Sequence, residues 1–206
     1  MTYVQPMLSL WDDPLPEPTP PPHLSRIVAH STNRFAWLRA RAMGVTATDV
    51  ARLSSSRAVL ALAAEKSAGS SFFGNAYTDH GRAREPEIAR WARSVYGMEP
   101  SVALFHADGN RDHLATPDGM RQRNALELCE IKTTMSTWRS IPRSYLRQVW
   151  WQQYVLGAER TLVVWEKHEN FVPVDREPEC RWVDRDDNEI HVLVGLADEL
   201  LGLMRA

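Results

Sequence analysis

The chain has little cysteine, little lysine and no long apolar run. Two cysteines, Cys129 and Cys180, in 206 residues exclude a disulfide-stapled scaffold, and their spacing is not that of a zinc site; they read as a reduced core thiol and a loop thiol. No apolar stretch approaches the length of a membrane span, and residues 1–11 lack the basic-then-apolar pattern of a signal peptide, so a cytoplasmic chain is expected. Of the 24 cationic residues, 21 are arginine. The guanidinium fork suits phosphate, although a compositional bias of the genome gives the same count. Net charge is only -2, which alone does not suggest a nucleic-acid binder. Residues 1–147, however, hold 18 cationic against 14 acidic side chains, and residues 148–206 hold 6 against 12. Any basic surface therefore lies upstream.

What is present is ordinary for a globular domain: 44% hydrophobic and 24% charged residues. The length allows one domain with a real core. From Pro14 to Pro22, six of nine residues are proline, so residues 1–30 are expected to be an extended or disordered leader and the domain to occupy 31–206. Residues 32–42 predict a helix with Phe35, Leu38 and Ala42 on one stripe. After Gly44 and Val45, Thr46 or Thr48 caps a second helix, whose start offers free N–H groups to an anion; capping alone also explains both threonines. A short helix follows over 56–66. The longest helix of the first half spans 77–97, with Ile88, Trp91, Ala92 and Val95 as its core stripe and Glu85 one turn earlier; Pro86 predicts a kink or a fresh start.

Beyond Gly97 the period becomes two. Residues 102–105 and 112–116 predict a hairpin, followed by a strand over 126–133. In that strand Leu126, Leu128, Glu130 and Lys132 share one face. Burying a carboxylate and an ammonium is costly without compensation, so an apolar face that ends in this pair suggests chemistry. The Glu-x-Lys triplet alone is unspecific. Thr116-Pro117-Asp118-Gly119 reads as a turn in its own right, yet its place one hairpin upstream would bring Asp118 to Glu130 if the strands pair antiparallel. Residues 143–156 predict a helix apolar nearly all round, on which Gln148 and Gln152 stand one turn apart. Strands over 161–166 and 171–174 and an amphipathic helix over 187–204 complete the chain.

Glu85, Asp118, Glu130, Lys132 and Gln148 all break an apolar pattern. Three carboxylates, a lysine and an amide suit a hard divalent cation, which prefers oxygen ligands. Magnesium on Asp118 and Glu130, with the Ile131 carbonyl available, would activate a water, and Lys132 would orient it or stabilise charge on a phosphate. The implied reaction is phosphodiester hydrolysis.

In this order the residues resemble the PD-(D/E)xK nuclease superfamily, and specifically its lambda exonuclease and YqaJ recombinase branch. Trp37, Arg41 and Gly44-Val45-Thr46-Ala47-Thr48 resemble the branch's first stretch, Gly81 to Glu85 its G-x-x-x-E helix, Thr116 to Gly119 its T/S-P-D-G. Glu130-Ile131-Lys132 resembles its catalytic strand, and Gln148-Val149 its Q-V-Q helix, over Trp37–Trp165 in all. Two positions depart or stay open. Trp150 replaces the second glutamine of Q-V-Q, so Gln148 or Gln152 takes its work or the contact is absent. Glu127 also precedes Lys132, but only Glu130 shares its face.

The resemblance implies an α/β (α+β) fold, with a central mixed β-sheet flanked by helices in a restriction-endonuclease-like core. It implies magnesium, with manganese as substitute, and 5′ to 3′ degradation of one strand of linear double-stranded DNA, leaving 3′ overhangs for a single-strand annealing protein. It further implies a ring of three subunits, a metal site of Asp118, Glu130, Ile131 and Glu85, a catalytic set extended by Lys132 and Gln148, and DNA contacts from Arg41, Thr48, Thr116 and Gln152. Arg41 and the two threonines correspond to a pocket for a terminal 5′ phosphate. The alternatives are a structure-specific or single-strand nuclease of the same superfamily, which usually carries a four-cysteine cluster absent here, and an inactive DNA-binding module, which has no need to keep Lys132 beside Glu130.

Overall fold

The computed structural model describes residues 21–69 and 75–206. A short 3-10 turn leads into β1 (Ile27–His30), α1 (Arg34–Met43), β2 (Val45–Thr46), α2 (Ala47–Arg52), α3 (Ser56–Ser67) and α4 (Ala76–Tyr96). The strands β3 (Glu99–Pro100), β4 (Ala103–Ala107), β5 (Asn110–Ala115), β6 (Gly119–Gln122) and β7 (Leu126–Thr134) precede α5 (Arg143–Leu156). The chain continues through β8 (Arg160–Glu169), β9 (Val172–Pro173), β10 (Glu179–Asp184) and α6 (Asp187–Arg205).

The α/β class is as expected, but the strands form two sheets. One has the order β1-β4-β5-β2, the other β10-β8-β7-β6-β3, with β9 on β8. The second is mixed: β7 and β8 run parallel and the other pairings are antiparallel. The corner between sheets is Thr116–Asp118, where Pro117 has no N–H to extend the β5 ladder. Gly119 resumes pairing opposite Cys129. A Cβ there would stand 3.2 Å from the Glu99 carbonyl, a fit that only glycine meets easily.

Helix α5 lies between the layers. The Trp151 indole donates to the Leu114 carbonyl of β5 at 3.0 Å, while Gln153 donates to Thr161 of β8 at 3.0 Å. Contact on both sides explains why Val149, Trp150, Trp151, Val155 and Leu156 are all buried. On the far face of the mixed sheet, Ile88 and Ala92 of α4 pack with Cys129, Ile131, Leu162 and Val164. Alternation along β7 thus supplies two cores, Leu126 and Leu128 to one, Cys129 and Ile131 to the other.

Several expectations change. The fold begins before Ser31, because Ile27–His30 pairs with β4; residues 1–20 of the expected leader lie outside the described residues. The α1 stripe is not core: Phe35 is 77% and Leu38 46% exposed. Val95 is exposed as well. Helix α4 runs through Pro86 without a break. Cys180 lies not in a loop but in β10, a strand that the sequence pattern does not predict because only its Val183 is buried. No helix among the described residues is long and apolar enough to cross a membrane.

Candidate active site

The antiparallel β6–β7 pairing joins the two acids. The Asp118 N–H donates to the Cys129 carbonyl at 3.1 Å, and the Ile131 N–H donates to Asp118 Oδ2 at 2.6 Å. Asp118 is thereby clamped beside the strand that carries Glu130. Glu130 is 2% exposed, and its carboxylate is held from α5 and from its own strand. Lys132 Nζ and Gln148 Nε2 both donate to Oε1, and Gln152 Nε2 donates to Oε2 at 2.6 Å. Gln148 and Gln152, four apart on the helix, present one face, and both amides reach the Glu130 carboxylate. Glu127 is excluded from the site. It faces the other side, bound by Arg121 and by Arg160 at 2.6 Å.

Burial, then the charge of Glu130, pushes the Asp118 carboxyl well above the usual carboxylate range. Burial and Glu130 also raise Glu85, in that order. Burial works against the Lys132 charge, but Glu130 and Asp118 outweigh it and hold the ammonium above its ordinary value. Lys132 is therefore a fixed cation near neutral pH.

Of these groups Glu85 and Lys132 line a cleft of about 410 Å³, with Arg82, Gly81, Ile131, Tyr145 and Tyr77, while Asp118 and Glu130 are not among its lining residues. It lies at the carboxyl end of β7, where α4 and α5 meet from opposite faces of the sheet. Glu85 lines the cleft from α4, but among the described residues no three His, Cys, Asp or Glu side chains converge as a metal-binding group. The candidate donor set is Asp118, Glu130 and the main-chain carbonyl of Ile131, the residue after Glu130. It fits a hard divalent cation: the two carboxylates raise each other's electrostatic cost, and among the described residues only one Asp118 oxygen accepts a hydrogen bond.

A second cleft of about 660 Å³ is lined by Arg41, Thr48, Arg34, Trp37, Lys66 and Arg82, among others. The Arg41 guanidinium lies 4.3 Å from the Trp37 ring centroid, and burial lowers its pKa against the pull of Asp49. Thr116 does not line this cleft. It directly follows β5, its hydroxyl buried without a partner among the described residues and its carbonyl accepting from Gln152 at 3.4 Å. The expected free helix start is also filled: Thr46 caps α2, and Asp49 accepts from the Thr46 N–H at 2.8 Å and pairs with Lys66 at 3.0 Å. Thr48 is left as an exposed hydroxyl.

Sequence reasoning missed two residues of the site. Arg82 lines both clefts, and Tyr145 places its ring 5.2 Å from Lys132 Nζ. Each stands three residues before an anticipated residue, Glu85 and Gln148, on the same helical face, which was the available signal.

A family model described as the YqaJ-like viral recombinase domain matches residues 36–159. Among solved structures, the alkaline exonuclease LHK-Exo from Laribacter hongkongensis is similar, with 22% identity and a TM-score of 0.66 over 82% of this chain and 91% of that one. Its complex with dAMP gives 20% identity and 0.65 over the same shares. A phage related exonuclease from Haemophilus somnus 129PT matches at 13% identity and 0.61, over 78% of this chain and 93% of that chain. No curated protein matches. The matched span, with Asp118, Glu130, Lys132 and Gln148 inside it, makes the chain a member of the YqaJ-like viral recombinase domain family.

Proposed function

We propose that the protein is a divalent-metal-dependent exonuclease that degrades linear double-stranded DNA from the 5′ end and leaves 3′ overhangs for phage-type recombination. The supporting observation is Asp118, immediately before β6, held by the Ile131 N–H next to Glu130 of β7, whose carboxylate meets the Lys132 ammonium at the edge of a cleft. The related structures are exonucleases by description.

In this reading Asp118, Glu130 and the Ile131 carbonyl hold magnesium, or manganese in its place. When bound, such an ion supplies Lewis acidity at the phosphate and lowers the pKa of a water. Lys132, fixed as a cation, orients the attacking water and stabilises negative charge on the phosphorane oxygens rather than taking a proton. Gln148 and Gln152 lock the Glu130 rotamer from α5. Glu85, with its raised proton affinity, stands across the cleft to bind a water or tune the metal. Arg41 and Thr48 meet the terminal 5′ phosphate in the second cleft, and Arg82 spans the two. An annealing protein and a ring of three subunits belong to the same reading.

The test is linear duplex DNA labelled at either end, incubated with magnesium or with EDTA. Release of the 5′ label as small product, with magnesium only, is the expected result. Release from the 3′ end, or undiminished cleavage in EDTA, overturns it.

A further inference from the structure

At the rim of the catalytic cleft four rings gather: Tyr77 and His80 from α4, His168 from β8 and Phe171 from the turn after it. His168 stacks on Phe171 at 5.6 Å with an 18° interplanar angle, and His80 meets His168 edge-on at 4.4 Å. His168 is buried and holds the others from behind, while Tyr77 and Phe171, 5.3 Å apart, are 50% and 42% exposed. Tyr77 also lines the cleft that contains Lys132 and Arg82.

The turn under Phe171 is unusual. Glu169 pairs with Val172, so Asn170 and Phe171 are the two loop residues of a hairpin, with φ of 51° and 66°. A two-residue turn with both φ positive favours Asn-Gly. Asn170 satisfies the first position, but Phe171 stands where glycine is preferred and an aromatic side chain is strained. The hairpin would form more easily without that ring. What the ring faces, rather than the turn, gives a phenylalanine a role at this position.

We propose that Tyr77 and Phe171 form a stacking platform for an unpaired nucleobase of the DNA strand whose phosphates pass the catalytic cleft. Aromatic rings offer sequence-independent faces to bases, and the adjacent Lys132 and Arg82 offer charge to the backbone that carries them. The buried His168 ring stacked on Phe171 fixes the platform before binding, so little ordering is lost. The inference deepens the nuclease reading and rests on it for the identity of the strand.

The test compares the full chain with Phe171→Leu, Phe171→Gly and Tyr77→Leu. Leucine keeps apolar cover without a π face, and glycine is the residue this turn prefers, so at least one variant retains the hairpin; circular dichroism checks the fold. Two fluorescent single-stranded oligonucleotides of equal length are titrated in EDTA, one with bases and one abasic throughout. The wild type should bind the base-bearing strand about tenfold more tightly or better, and folded platform variants should lose that preference while binding the abasic strand as before. A wild type with no preference, or variants that keep it, overturns the platform. Base preference without magnesium-dependent cleavage of duplex DNA would instead sink the nuclease reading and leave the platform standing.

Discussion

Asp118 carries the cost of a charge held in a buried setting beside Glu130. Its proton affinity is raised, so between the unfolded carboxylate value near 3.8 and its own folded value the native state binds the extra proton. Metal-free stability therefore falls as pH rises through that window. Asp118→Asn, which keeps an oxygen for the Ile131 N–H, should melt a few degrees above wild type at pH 8 in EDTA, with the difference closing toward pH 4, and should be inactive. Thermal melts across pH check this; a variant that melts lower at pH 8 would mean that Asp118 is not electrostatically strained. The two amides act on Glu130 together, one on each oxygen. Gln148→Ala and Gln152→Ala should each lose about 10 to 100 fold in activity or metal affinity, with a double variant showing non-additive loss, as steady-state rates at several magnesium concentrations would read out. Loss confined to one of them would leave the other as packing.

The elements are tied by ion pairs as much as by apolar contact. Arg84 of α4 grips Glu166 of β8 with both arms, at 2.8 and 2.7 Å, and also pairs with Glu87. Glu166 is buried, and its paired charge raises the guanidinium pKa above its ordinary value, chiefly through that hydrogen bond. The pair seats the first turns of α4, with Gly81 and Glu85, over the end of β7. Arg84→Ala leaves the Glu166 charge buried without this partner and should destabilise the fold by about 2–3 kcal/mol, a partial value because Arg84 itself is part-exposed. Chemical denaturation measures it. Magnesium affinity should weaken in parallel if α4 then shifts. A neutral Arg84→Ala would show that apolar contacts of Ile88 and Ala92 alone hold the helix. Elements with a strong period were legible: α3, α5, α6 and the β4–β5 hairpin stand where periodicity predicts them. The β10 strand was not, because a sheet edge buries too few side chains to write an alternation.

Across the whole molecule, two clefts share Arg82, and the chain's upstream excess of cations lines both. Arg41 lines the cleft that Glu85 and Lys132 do not, so its removal should separate end recognition from chemistry. A 5′-phosphorylated duplex should be digested faster than a 5′-hydroxyl one, and Arg41→Ala should erase that difference while metal affinity stays unchanged. Gel assays on the paired substrates decide it, and equal wild-type rates would remove the terminal-phosphate pocket. Thr116 enters this pocket only if the bound strand reaches it from the catalytic cleft, since it does not line the other one.

The sequence by itself determined the strongly periodic elements and which candidate residues share a face. Period-two alternation put Glu130 and Lys132 on one face and Glu127 on the other, and helical spacing put Gln148 with Gln152, because these relations depend only on local backbone geometry. The tertiary structure decided what those faces meet. That β5 and β6 belong to different sheets, that both glutamines close on one carboxylate, that Asp49 fills the start of α2, and that Phe35 and Leu38 stay exposed all depend on contacts between residues distant in sequence. An apolar stripe records a preference for burial but not the partner that satisfies it, so α1 reads as core until the layers are assembled around it.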